Sequence, residues 1–310
     1  MKNFLYLKGR LCLNYRERRA HCKGVLLSKE TSRLWILCVL CVLCSSLHPA
    51  NAESESAYER IMRTGEIRCG YSSWKPLFWM DSNTGQPRGI FHDLMEEVGK
   101  RLDLKIHWSA ELGWGEVAEA VNTHKVDMAC AGYWLHPSRI KYLQATDPLF
   151  YSSLHVWVRE EDKHKYRDMQ QLNRPEYTVV EIDGGSAGQI IEKYFPNAQR
   201  ISLPQLSTNG DVILNLMTKK ADFFIDDVTS FYEYQQENPG KLATMFIDTP
   251  LAVFPATMLL PREQSHLKSM IDNTLSLVEL DGTLDDILNK YQATDLFLCN
   301  PDLKNVRGEQ

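Results

Sequence analysis

The residues best suited to chemistry lie between Val126 and Tyr151, in VDMACAGYWLHPSRIKYLQATDPLFY. An apolar strand pattern from Val126 to Ala131 breaks at Gly132, and a loop through Pro137 leads to a single arginine, Arg139. Asp147-Pro148 breaks the chain again before a new apolar run. A buried strand that ends in glycine, with a guanidinium just beyond it, predicts a ligand pocket at the carboxyl edge of a sheet, the usual site in open α/β sheets. Arginine suits a carboxylate ligand there, because its planar fork bonds both oxygens at once. On spacing alone, a surface arginine after a strand is an equally good reading.

A second stretch has chemistry of the same kind. Tyr177 to Ile182 reads as a strand, Asp183-Gly-Gly-Ser-Ala-Gly188 as a turn, and a helix starts at Gln189. Glycines and a serine ahead of a helix present free backbone N–H groups, a ready site for a carboxylate. By itself the turn is a weak signal. It is not a nucleotide loop, since no GKS/T or GxGxxG follows the strand. Asp226 and Asp227 close another apolar run, and adjacent strand residues face opposite ways, so only one of them should point inward. After Ala52 there is no CxxC pair and no HxxxH spacing, and the seven histidines are scattered, so neither metal nor cofactor is expected.

The elements that position these residues need a chain of some size, and 310 residues suffice for two domains. The net charge of −5 is split unevenly. Residues 1–52 hold nine Lys/Arg and two acids, Glu17 and Glu30, which leaves 26 basic and 38 acidic side chains, a formal −12, for the rest. An acidic body argues against a nucleic-acid partner. Leu34 to Leu47 is too short for a membrane span and fits a signal-peptide core, and Ala50 and Ala52 place cleavage after Ala52. The basic region before it is long, which a start site further downstream would explain. An uncleaved anchor is the competing reading. Leucine ahead of Cys44 speaks against a lipoprotein.

The stretch around Arg139 resembles the signature of the family 3 extracellular solute-binding proteins, the bilobed receptors of polar amino-acid ABC transporters. Further anchors run from Ser54 to Tyr291. Gly89-Ile-Phe-His-Asp93-Leu is similar to the family's GFDxDL segment, and Lys219 to Asp227 to its GxxDAxxxD theme. Asp281-Gly-Thr-Leu284 with Ile287 and Tyr291 resembles its closing DGT…I…KW/Y segment, with Thr283 expected as the helix cap. His92 and Asp93 are accordingly read as helix-start polar residues and not as a catalytic pair.

The resemblance implies an α/β, two-lobed, type II periplasmic-binding-protein (Venus flytrap) fold, with two mixed sheets and a hinge of two crossing strands. Residues 53–157 and 252–295 would form a discontinuous lobe 1, residues 158–251 lobe 2, and residues 296–310 a loosely docked tail. Arg139 aligns with the arginine that clamps the ligand α-carboxylate, and Ser186 and Gly185 belong to the second-lobe loop facing it. Asp227 falls on the acid that binds the ligand ammonium. Trp74, Trp114, Tyr133, Trp134 and Gly132 would line the rest of the pocket. Three cysteines follow Ala52: Cys69, Cys130 and Cys299. Cys69 and Cys130 would lie on neighbouring strands, and buried free thiols are expected ahead of a disulfide.

Two departures bear on the ligand. Relatives place Ser or Thr where Trp134 stands, and an acid for a basic side chain where Ser72 stands. Both favour an uncharged or aromatic side chain, or a carboxylate that is not an α-amino acid. The implied function is a periplasmic solute-binding protein that closes on a small carboxylate-bearing ligand, an amino acid in the first place, and docks on an inner-membrane ABC permease. The alternative is an enzyme on the same scaffold, similar to cyclohexadienyl or arogenate dehydratase. Such enzymes carry a glutamate one helical turn past the second-lobe acid; Ser230 stands near that position, and Glu233 is the next acid.

Overall fold

A computed structural model describes residues 55–298 apart from 136, 230, 246–248 and 295. The expected leader with its cleavage site, Cys299 and Ser230 lie outside the described residues, as does the Glu233 side chain. The chain begins with α1 (Ala57–Thr64), β1 (Glu66–Tyr71), the short pair β2 (Trp79–Met80) and β3 (Pro87–Arg88), and α2 (Ile90–Leu102). It continues through β4 (Lys105–Glu111), α3 (Val117–Asn122), β5 (Met128–Trp134), α4 (Pro137–Ile140), β6 (Leu143–Ala145) and the long β7 (Phe150–Arg159). Then come β8 (Thr178–Ile182), α5 (Ala187–Tyr194), β9 (Gln199–Leu203), α6 (Asn209–Met217), β10 (Phe223–Asp227), α7 (Tyr232–Glu237) and β11 (Leu242–Met245). A second long strand, β12 (Ala252–Pro261), precedes α8 (Ser265–Leu280) and α9 (Thr283–Lys290).

Local chemistry explains several boundaries. Ser56 and Glu59 form a reciprocal capping box at the start of α1, and Gly65 ends the helix in the left-handed region that glycine adopts freely. Thr208 and Asp211 cap α6 in the same way. At α9 the expected cap is replaced. Gly282 holds the cap position, and the Asp281 carboxylate accepts from the Thr283 N–H and hydroxyl. An acid one residue earlier offers the stronger acceptor to the exposed amides.

The strands form one mixed ladder in the order β4-β1-β5-β12-β7-β10-β8-β9, with β6 added on β12 and β11 on β7; β2 and β3 make a separate small sheet. The two expected sheets are thus continuous through the long strands β7 and β12, which pair antiparallel from Ala252↔Leu154 to Ala256↔Phe150. Each long strand serves two neighbourhoods: β7 runs on to pair with β10 and β11, and β12 runs on to β5 and β6.

Side-chain alternation sorts the core. On β5, Met128 and Cys130 enter one cluster with α2 and α8, while Ala129, Ala131 and Tyr133 enter another with α3. On β10, Phe223 and Ile225 join a cluster with α5, and Phe224 joins one with α6. Two clusters are built from residues 57–150 and 256–297, and two from residues within 154–251.

Two expectations are corrected. Cys69 and Cys130 form a disulfide instead of remaining thiols. Their strands are adjacent and parallel, with Cys69 opposite Met128, which places the two Cα atoms 5.5 Å apart, inside the bridging range. The start of the tail is packed: Phe297 is buried against Phe150 with ring centroids 4.3 Å apart, and Leu298 bonds Tyr151 through both backbone groups. Arg159, the last residue of β7, is buried, with its guanidinium on Asp162 and the carbonyls of Leu216 and Ala221.

Candidate functional site

A small cavity of about 60 Å³ lies where the carboxyl ends of β5 and β8 face each other. Seven of the nine residues singled out from sequence line it: Trp74, Trp114, Gly132, Trp134, Arg139, Gly185 and Ser186. Tyr133 and Asp227 do not.

Arg139 sits on the short helix α4, directly after the loop that leaves β5. It is 4% exposed. Its guanidinium donates to the carbonyls of Trp134 (3.1 Å), Trp114 (3.1 Å) and Gly184 (3.4 Å). Among the described residues no carboxylate lies within ion-pairing distance of it. Burial lowers its pKa, and the neighbouring Tyr133 acts in the opposite direction. The rings of Trp114 and Tyr133 flank the cation, with centroids 5.9 and 5.6 Å from its central carbon. Tyr133 therefore supports the arginine from the far side of β5, where its hydroxyl pairs with Ser72 at 3.0 Å. Ser72 also donates to the Leu112 carbonyl, so this position braces the wall behind the cavity.

Gly132 has φ +79° and carries the chain past Phe91; a Cβ there would come within 2.2 Å of that ring. The break expected at Gly132 is not made: β5 continues through it to Trp134, which pairs with Ala256 of β12. Trp134 stacks on Phe254 of β12 at an interplanar angle of 12°. Trp74 meets Trp114 edge-on with centroids 5.4 Å apart and Trp134 at 6.3 Å. Trp74 packs against clusters from both halves of the chain, and so does Trp114.

From the other side come β8, α5 and β10. Ser186 is the residue before α5 and is 5% exposed, and its side chain makes no capping bond to the helix. Of the acid pair, Asp226 lines the cavity and Asp227 does not. On β10, Asp226 shares a face with Phe224, another lining residue, and Asp227 shares one with Phe223 and Ile225; Ile225 also reaches the cavity, so the strand face alone does not separate the two acids. Asp227 accepts from the backbone N–H (2.9 Å) and hydroxyl (2.6 Å) of Thr229, and so shapes the turn after the strand.

Sequence reasoning passed over Glu181, which lines the cavity from β8. A lone acid in the apolar strand TVVEI was the available signal. Its charge is already matched, by Arg200 and by the Ser202 hydroxyl at 3.1 Å. The lining is otherwise apolar, with Leu77, Ile182, Val212 and Phe224 closing the remaining walls. Among the described residues no group of three His, Cys, Asp or Glu side chains is placed to hold a metal, and no helix is long and apolar enough to cross a membrane.

The fold is that of the type II periplasmic binding proteins. The ancestral amino acid-binding protein AncCDT-1, described as a precursor of cyclohexadienyl dehydratase, superposes with a TM-score of 0.67 at 23% identity, over 76% of this chain and 99% of its own. The substrate-binding protein AbpA of Streptococcus pneumoniae, bound to L-arginine, does so with a TM-score of 0.67 at 19% identity, over 76% of this chain and 98% of its own. The chain belongs to the bacterial extracellular solute-binding proteins, family 3, whose model matches residues 67–294. It is 20% identical to the amino-acid-binding protein AabA of Dichelobacter nodosus over 221 residues, 71% of this chain and 85% of that one. It is 21% identical to the probable amino-acid-binding protein YxeM of Bacillus subtilis over 216 residues, 68% of this chain and 78% of that one.

Proposed function

We propose that this protein is the periplasmic receptor of an ABC importer, released by cleavage after Ala52, and that it binds a small carboxylate-bearing ligand between two closing lobes. Residues 53–157 with 252–295 form one lobe and residues 158–251 the other. The strands β7 and β12 serve as the hinge. The observation that carries this reading is Arg139: a guanidinium buried in an aromatic wall, bonded among the described residues to three carbonyls, and lining one cavity with Ser186. A buried cation of this kind is stabilised when an anion joins it.

The ligand carboxylate replaces the carbonyl contacts of Arg139 and takes a second bond from Ser186 or the free N–H groups at the start of α5. An ammonium group, where the ligand has one, lies toward Asp226. The three tryptophans cover the ligand body. The apolar lining, together with the engagement of Glu181 by Arg200, favours an uncharged side chain over a cationic one.

The test is a thermal-shift screen of residues 53–310 against amino acids, small organic acids and prephenate. A ligand that binds the native state raises the melting temperature in proportion to the logarithm of its concentration over its Kd. A shift with an amino acid or small carboxylate, abolished in Arg139→Ala, supports the receptor. Conversion of prephenate to phenylpyruvate would replace it with the enzyme reading.

A further inference from the structure

We infer that Trp74 is a partition that sets the length of ligand this protein accepts. The inference rests on the binding reading above. Trp74 lines two spaces at once: the small cavity of about 60 Å³ that contains Arg139, and a larger groove of about 570 Å³ beside β2, α6 and α7. By this measure a single water needs about 10–15 Å³. The smaller space therefore takes a head group and a short side chain, and the indole stands between it and the larger groove.

The partition is held rigidly. The Trp74 N–H donates to the Phe78 carbonyl at 2.6 Å and the Phe78 N–H returns to the Trp74 carbonyl at 2.9 Å, with Phe78 fully buried. The next residues of the loop are tied down as well, because the carbonyls of Pro76 and Leu77 accept from the first two amides of α2. Gly89 allows that contact. A Cβ there would lie 2.5 Å from the Leu77 oxygen, and its φ of +124° excludes other residues without strain. With its backbone pinned and its ring edge-on against Trp114 and Trp134, the indole does not swing aside without breaking packing.

The groove behind it is suited to receive a longer chain. Trp79, Tyr234 and Ile213 offer apolar surface there, while Asn83 and Asn209 add polar contacts at the rim. Opening Trp74 would join the two spaces and turn a short-chain site into a long-chain one.

The experiment measures affinities of unbranched saturated α-amino acids from two to eight carbons, with their simple carboxylic acid counterparts, for the native chain, Trp74→Ala and Trp74→Leu. In the native protein affinity is expected to rise with the first carbons and then fall. In Trp74→Ala the rise is expected to continue, gaining about fourfold for each further methylene buried. Trp74→Leu keeps an apolar side chain in the core and is expected to move the limit by fewer carbons, so it decides the question where the alanine variant does not fold. An unchanged limit in the folded variants overturns the partition and leaves the receptor standing. Failure of every acid to bind any of the three proteins overturns both.

Discussion

The backbone N–H of Gly115 donates to the side-chain oxygen of Gln205 at 2.8 Å, joining two loops ninety residues apart in sequence. The amide nitrogen of the same glutamine donates to Asp183 at 3.2 Å. Glycines make room for this contact: a Cβ on Gly113 or Gly115 would press into Gln205, and one on Gly184 would lie 2.6 Å from the Gly115 nitrogen. Beside it, Arg139 reaches the Gly184 carbonyl. The loops that bring Arg139 and Ser186 face to face are thus in backbone contact.

That contact predicts how closure responds to mutation. Gly184→Ala places a methyl group between the loops and forces alanine to φ +73°, a conformation costing about 1 kcal/mol or more outside glycine. Ligand affinity is expected to fall by about tenfold, on the order of 1.4 kcal/mol. Gln205→Ala is expected to weaken binding less, since it removes hydrogen bonds without adding a clash. Small-angle scattering on the liganded proteins checks the cause: the Gly184→Ala chain should remain more extended.

The acids at the end of β10 should separate cleanly. Asp226→Asn is expected to weaken ligands that carry an α-ammonium group by about tenfold or more, and to leave simple carboxylates nearly unaffected, because it neutralises a cavity-facing charge. Asp227→Asn is expected to lower the melting temperature and leave ligand preference unchanged, because that carboxylate holds the Thr229 turn. Paired titrations of the two variants against an amino acid and its deaminated analogue decide the matter. The opposite assignment would appear as reversed phenotypes.

Asp93 predicts a pH dependence. Burial pushes its pKa up, but bonds from His92, Lys290 and Tyr291 outweigh that and hold the pKa at about 2, below the ordinary 3.8. The carboxylate ties the start of α2 to the end of α9. A depressed carboxylate contributes stability that is present above its unfolded pKa and is lost as pH falls through the folded one. The chain should therefore lose about 2 kcal/mol or less from this group between pH 4 and pH 2. Asp93→Asn should be less stable at neutral pH and show a shallower acid limb in denaturant titrations at stepped pH.

The Cys69–Cys130 disulfide spans 61 residues and both cysteines are fully buried. Chain-entropy arguments assign a loop of that length about 4 kcal/mol, as an upper figure. Reductant is expected to leave the native protein largely untouched and to lower the melting temperature once unfolding exposes the bond. A Cys69→Ala/Cys130→Ala double variant should melt lower under all conditions and bind its ligand with little change, since neither sulfur lines the cavity. Thiol titration with and without denaturant checks the first expectation.

Much of this protein was legible in one dimension. The apolar runs of β5, β8 and β10 and the turn at Asp183-Gly184-Gly185 are local patterns, and local sterics and burial were enough to place them, whereas the break expected at Gly132 is absent because β5 continues to Trp134. Arg139 stood out through the motif around it, since on spacing alone a surface arginine after a strand reads equally well. The strand end before Arg139 and the turn holding Ser186 pointed to a pocket at the sheet's carboxyl edge, and the other cavity residues singled out were those implied by the family resemblance.

What the tertiary structure decided was orientation and pairing. Counting along a motif cannot tell Asp226 from Asp227, because a shift of one residue reverses the face of every strand side chain. The family resemblance implied Tyr133 as a pocket residue, but strand parity turns it behind the sheet, where its hydroxyl pairs with Ser72. The disulfide depended on the register of β1 against β5, a long-range relation written in neither strand alone. The double exposure of Trp74, to a small cavity on one side and a larger groove on the other, exists only once residues far apart in the chain are brought around one ring. The chemistry available was set by residue type; which groups share one space was set by packing.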